Sequence, residues 1–173
     1  GGTGQILVQL AKAKGAFVIG TCSTKEKADI ATRRGCDYVI ITKSNDDENN
    51  DNDEIWDQIP EMVREIIRQH LKDTNDSIIP SNYGNININD GAHVVYDSVG
   101  KSSAMASLQC LRPRGSAVFF GNASGAPPDI NPLLLSKLGS LSMTRPKLHD
   151  FIQTRDEVVK RSSDVFQMVR DGH

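Results

Sequence analysis

The chain opens on Gly1-Gly2-Thr3-Gly4, and an amphipathic stretch, Gly4 to Lys14 (GQILVQLAKAK), follows at once. The first turn of a helix presents N–H groups with no acceptor of their own, at the positive end of the backbone dipole. Glycine there lets a pyrophosphate come close, because no side chain stands in its way. Gly1 and Gly4 are spaced like the last two glycines of a G-x-G-x-x-G turn. The strand that feeds such a turn would precede Gly1. The chain therefore reads as beginning inside the motif, and it is expected to be part of a longer protein.

A second position sharpens the chemistry. Where a ribose diol is bound, an Asp or Glu stands about 20 residues after the glycine turn. Here the apolar run Ala16 to Thr21 (AFVIGT) ends in Cys22-Ser23-Thr24, with no carboxylate. Two hydroxyls and the following Lys25 and Lys27 suit a 2′-phosphate instead. NADP is therefore expected over NAD, with Lys27 the preferred cation. Two later apolar runs end in Asp97-Ser98 and in Gly121-Asn122-Ala123-Ser124-Gly125. Small and polar residues at the carboxyl ends of strands can hold a nicotinamide ribose and carboxamide.

The elements that carry these residues alternate. Ile6, Leu7, Leu10 and Ala11 share a helix face, and Gly15 caps it. Ala16 to Thr21 is a strand, and Ser23 to Glu26 has a capping-box pattern opening a helix that stops at Gly35. Tyr38 to Ile41 is the next strand. Pro60 is expected at the first position of a helix carrying Met62, Val63, Ile66, Ile67, His70 and Leu71. His93 to Tyr96, Ser116 to Phe120 and Leu141 to Thr144 read as strands. Helices are expected from Ser102 to about Leu111, over Leu133 to Leu138, and after a capping box at Thr154 to Glu157. Short connections and apolar strands without alternation indicate an α/β fold. Its core would be a doubly wound parallel sheet, covered on both faces and lacking its first strand in this chain. The Asn/Asp-rich stretches at about 44–54 and 75–90 read as insertions in surface loops.

Composition excludes several other classes. The 173 residues suffice for one domain, residues 1–173, and the net charge is −2. The six acidic residues between Asn45 and Glu54 set that sign; without them the balance is +4. That is too little for a strongly cationic nucleic-acid binder. No run approaches the roughly 18 apolar residues of a membrane span. Cys22, Cys36 and Cys110 are scattered and odd in number, which argues for a reducing, cytoplasmic setting. No CxxC or HExxH spacing occurs, and no metal site is expected. Tyr38, Tyr83 and Tyr96 are followed four residues later by Thr42, Asn87 and Gly100, so the Tyr-x-x-x-Lys pair of short-chain reductases is missing. No catalytic acid is assigned.

Three blocks now carry a resemblance: GGTGQILVQLAKAKGAFVIGTCSTKEKADIATRRGCDYVI, VVYDSVGKSSAMASLQCLRPRGSAVFFGNASG and GSLSMTRPKL. They resemble the zinc-independent quinone oxidoreductases, zeta-crystallin-like members of the medium-chain dehydrogenase/reductase superfamily. The resemblance implies the Rossmann NADPH-binding domain of an NADPH:quinone reductase, with a separate GroES-like catalytic domain outside this chain. Hydride would pass to a quinone or an α,β-unsaturated carbonyl; an enoyl reductase of the same superfamily is the alternative. Carried over by position, Gly1, Gly2, Thr3 and Gly4 would lie at the pyrophosphate. Ser23, Thr24 and Lys27 would hold the 2′-phosphate, with Thr42 where relatives often have Tyr. Ser98, Phe120, Gly121, Asn122 and Ala123 would line the nicotinamide end, and Arg145 and Pro146 the mouth of the substrate cleft. The resemblance further implies a homodimer through the 139–144 edge strand. Zeta-crystallin relatives also serve as lens proteins and bind AU-rich RNA, but nothing here resembles an RNA-recognition motif.

Overall fold

The computed structural model describes residues 1–42, 54–74 and 90–172. The greater part of both Asn/Asp-rich stretches lies outside them. The chain forms two compact units, Gly1–Asn52 with Lys147–His173, and Asp53–Pro146.

In the first unit, helix α1 (Gly2–Ala13) leads to strand β1 (Ile19–Cys22), helix α2 (Lys25–Arg33) and strand β2 (Tyr38–Ile41). β1 and β2 pair in parallel from Ile19 opposite Tyr38 to Cys22 opposite Ile41. Gly15 and Gly35 take φ of 76° and 98° just past the two helices, a region that suits residues without Cβ. Ala28, Cys36 and Ile40 are buried between α2 and the strands. Asp37 ties the unit across its loops. It pairs with Lys12 at 2.7 Å and accepts from Val18 N at 2.7 Å. β1 starts three residues later than expected, since Ala16 to Val18 form the approach to the strand. Helix α6 (Arg155–Arg170) follows a 3-10 turn at Leu148–Phe151, and Thr154 and Glu157 form the expected capping box.

In the second unit, helix α3 (Glu54–Asp73) precedes strand β3 (Ala92–Asp97), helix α4 (Ala104–Gln109), strand β4 (Leu111–Phe119), helix α5 (Pro132–Lys137) and strand β5 (Ser142–Thr144). The sheet order is β3-β4-β5, all parallel. Its core is Ala104, Leu108, Leu111, Ala117, Phe119 and Leu141, with Leu134, Leu135 and Leu138 packed against it.

Several expectations are corrected. Pro60 lies inside α3, not at its start, and Glu54 belongs to the helix rather than to the acidic stretch. Ile59 and Val63 are buried, and this tertiary burial outweighs the helical hydrogen bond that proline forgoes. β4 begins at Leu111 rather than Ser116, because Leu111 pairs with Ala92 before a register irregularity. The helix expected from Ser102 is shorter and capped by Ser103, whose hydroxyl is used elsewhere. Tyr38 and Ile41 in the first unit and Val94 and Tyr96 in the second are exposed strand residues. The parallel pairings among the described residues are β1-β2 in the first unit and β3-β4-β5 in the second, in keeping with the expected parallel α/β fold.

Candidate functional site

In the first unit, Gly1 caps α1 without a side-chain bond, and Gly2, Thr3 and Gly4 make its first turn. The first helical bond of this turn runs from Gln5 N to Gly1 O at 3.3 Å, so the N–H groups before it have no partner within the helix. A Cβ built on Gly1, Gly2 or Gly4 meets nothing within 4 Å. Packing among the described residues does not demand glycine at these places. Their free N–H groups at the positive end of the α1 dipole can hold an anion.

The β1–α2 turn brings Ser23, Thr24 and Lys27 together. Thr24, not Ser23, is the N-cap, and its hydroxyl accepts from Lys27 N at 3.3 Å. The capping-box pattern is thus displaced by one residue, and position N3 is Lys27 rather than Glu26. Lys27 Nζ turns back and donates to Ser23 Oγ at 2.7 Å. Lys25 instead pairs with Asp29 at 2.7 Å, and that hydrogen bond raises its pKa. Hydrogen bonding from Thr24 lowers the Glu26 pKa, with backbone hydrogen bonding second, so Glu26 is held in its charged form beside the turn. Thr42 follows β2, and both its N and its hydroxyl donate to Cys22 O, at 2.7 and 3.2 Å. Its proton is spent on the strand end.

In the second unit, the residues of the predicted nicotinamide end are knitted together at the carboxyl ends of β3 and β4. Ala123 N donates to Ser98 O at 3.1 Å, Ser124 N to Val99 O at 2.8 Å and Phe120 N to Asp97 O at 2.8 Å. A Cβ on Gly121 would stand 2.5 Å from Ser98 O, so only glycine permits this approach. Arg145 donates through Nη1 to Phe119 O at 2.7 Å and through Nη2 to Asn122 Oδ1 at 3.1 Å. The guanidinium is therefore a clamp on the loop as well as a neighbour of Pro146.

The sequence places Asp97 with Ser98 at the strand end expected to hold the nicotinamide ribose and carboxamide, but the Asp97 side chain turns inward. Asp97 is buried, and its carboxylate accepts from Val99 N at 2.7 Å, Gly100 N at 3.0 Å, Ser103 Oγ at 2.7 Å and Ser107 Oγ at 2.6 Å. The signal was available: an Asp ending an apolar strand, with serines one helical turn apart on the next helix.

Two hollows of the first unit are lined by other residues. One of about 410 Å³ lies among Gln5, Ile30, Arg33 and Arg34. The other, about 320 Å³, runs along α6 beside Leu148, Val158 and Phe166. Among the described residues no cluster of His, Cys, Asp and Glu has the makings of a metal site. Among the described residues no helix is long and apolar enough to cross a membrane.

Parallel strands alternating with helices, an open glycine turn and polar strand ends define the class of α/β nucleotide-binding proteins. The chain belongs to the zinc-binding dehydrogenase family, whose sequence model matches residues 2–160. It is 36% identical to a 2-haloacrylate reductase of a Burkholderia species over 173 residues, 99% of this chain and 42% of the relative. It is 36% identical to quinone oxidoreductase 1 of Escherichia coli, over 99% of this chain and 43% of the relative. Among solved structures, a mycobacterial quinone oxidoreductase superposes with a TM-score of 0.76 at 32% identity, covering 99% of this chain and 43% of that one. The E. coli quinone oxidoreductase complexed with NADPH gives 0.67 at 33% identity, covering 97% and 42%. The chain thus spans less than half the length of these relatives.

Proposed function

We propose that this chain is the NADPH-binding part of a reductase that delivers hydride to a quinone or an α,β-unsaturated carbonyl. The observation that carries the reading is the Ser23–Lys27 pair at the end of β1, where a carboxylate would serve a ribose diol. Relatives named quinone oxidoreductase, one of them solved with NADPH, support it.

The residues divide by unit. Gly1, Gly2, Thr3 and Gly4 receive the pyrophosphate through backbone N–H groups and the helix dipole. Lys27, Ser23 and Thr24 take the 2′-phosphate. Thr42 holds the ends of β1 and β2 together through Cys22 O rather than offering a donor of its own. Ser98, Phe120, Gly121, Asn122 and Ala123 face the nicotinamide end, with Arg145 and Pro146 toward the acceptor. The reduced nicotinamide supplies the hydride; the protein supplies orientation and electrostatics. The group that protonates the acceptor is left unassigned, and a GroES-like domain outside this chain would complete the cleft. The whole of residues 1–173 would then be one Rossmann domain with two insertions, needing no metal.

An enoyl-type acceptor is the second reading. The relative named 2-haloacrylate reductase favours it, since an acrylate is an α,β-unsaturated acid. We further propose a homodimer through residues 139–144. β5 is an edge strand with all three residues exposed, and an open edge invites pairing. Three free cysteines suit a cytoplasmic setting.

The first experiment is a fluorescence titration of the intact protein with NADPH and NADH. Tight NADPH with weak NADH is the expected result. Binding of neither overturns the reading, and a crystallin-like or RNA-binding role then leads.

A further inference from the structure

We infer that Asp97 is the positioning residue of the nicotinamide end, acting through the backbone of two loops without touching the cofactor. The inference rests on the NADPH reading above. Asp97 is 4% exposed, and all four hydrogen bonds to its carboxylate come from one short stretch of chain, Val99 to Ser107. Two of them fix the N–H groups of Val99 and Gly100, so they set the path of the loop that starts at Ser98. The other two reach Ser103 and Ser107 on α4, so the loop is referred to a buried helix rather than left to solvent. Ser103 Oγ adds a bond from Gly100 N at 3.1 Å.

That loop presses on the next one backbone to backbone. Besides the Gly121 approach to Ser98 O, a Cβ on Gly100 would stand 2.3 Å from Gly125 O, and Gly100 has a φ of 93°. Lys101 N donates to Gly125 O at 3.0 Å, and Ser124 Oγ donates to Val99 O at 2.8 Å. Glycine at both contacts lets the two backbones meet directly. A shift of Val99–Gly100 is therefore passed to Gly121–Ala123, the residues assigned to the nicotinamide end. Bonds to a carboxylate are among the stronger ones, which suits a tie that must hold a loop still.

The test compares NADPH with adenosine 2′,5′-bisphosphate, which lacks the nicotinamide, on the intact protein. Asp97→Asn keeps one oxygen for Val99 and Gly100 but replaces the acceptor of Ser103 and Ser107 with a donor. NADPH affinity should fall about tenfold, as for loss of roughly one such hydrogen bond. The bisphosphate should bind as before, because its site lies in the other unit. Ser107→Ala removes a single bond and should give a smaller loss in the same direction; it serves where Asp97→Asn does not fold. Equal NADPH affinity in wild type and both variants overturns the inference alone. Parallel loss of both ligands also overturns it, since that marks a merely structural role. A wild type that binds neither ligand overturns the cofactor reading, and the inference with it.

Discussion

Lys27 Nζ reaches back one helical turn to Ser23 Oγ at 2.7 Å, while Lys25, two residues earlier, is held by Asp29. Two lysines on one turn thus have different tasks. The charge of Lys25 is answered by Asp29 within α2; that of Lys27 is aimed at Ser23 at the end of β1, and among the described residues Lys27 makes no ion pair.

Lys27→Ala should weaken NADPH by about 10–150-fold, the worth of a charge-assisted hydrogen bond of roughly 1.5–3 kcal/mol. NADH should hardly change. Lys25→Ala should leave both within about twofold. Titration by fluorescence reads all three, and equal weakening of NADPH and NADH by Lys27→Ala would sink the phosphate assignment.

The glycines separate stability from binding. Gly2→Ala and Gly4→Ala place a methyl group where nothing lies within 4 Å, inside a helix that favours alanine by about 0.5–1 kcal/mol. Melting temperature should hold or rise while NADPH affinity drops. Gly121→Ala drives a Cβ against Ser98 O, and should cost roughly 1–3 kcal/mol of stability. Urea denaturation checks the second, and unimpaired NADPH binding in the first pair would refute the pyrophosphate role.

Arg145→Ala removes the bonds to Phe119 O and Asn122 Oδ1. Arg145→Lys can replace one of them but lacks the planar fork needed for both. NADPH should weaken in both variants, more in Ala than in Lys, with adenosine 2′,5′-bisphosphate unchanged. Isothermal titration would show it; identical affinities in wild type and Arg145→Ala would remove the clamp.

Burial pushes the Cys110 thiol from an ordinary 9.0 to about 12. Between those values the unfolded thiol loses its proton while the folded one keeps it. Stability from this group is therefore full below pH 9 and falls above it, by about 1.4 kcal/mol per pH unit. Cys110→Ala should have a shallower decline of stability above pH 9 than wild type. Parallel denaturation curves at pH 8 and 10 would contradict the assignment.

Ser142→Pro should weaken dimer formation through β5, since proline cannot donate to a ladder. Sedimentation velocity would register the change, and an unaltered mass would count against the 139–144 interface.

Much of the fold was legible because its signals are local. Gly15 and Gly35 mark the ends of α1 and α2, Tyr38 to Ile41 is β2 as expected, and Thr154 with Glu157 caps α6. Pro60 misled because proline is a strong local start signal, whereas the burial of Ile59 and Val63 comes from tertiary packing. Ser102 and Ser116 misled for a related reason. Ser103 serves Asp97 across a loop, and Leu111 pairs with Ala92 on another strand.

From residue order alone came the α/β alternation, the glycine turn, the absence of a carboxylate after β1, and the hydroxyls and lysines in its place. Each depends on backbone conformation or charge within a few residues, where chain connectivity sets who the neighbours are. Tertiary structure alone decided that the Thr42 proton is spent on Cys22 O. It also decided that Arg145, 23 residues along the chain, clamps Asn122. Those outcomes rest on hydrogen bonds whose partners are chosen by packing, and a buried acceptor takes the donors that the fold brings to it.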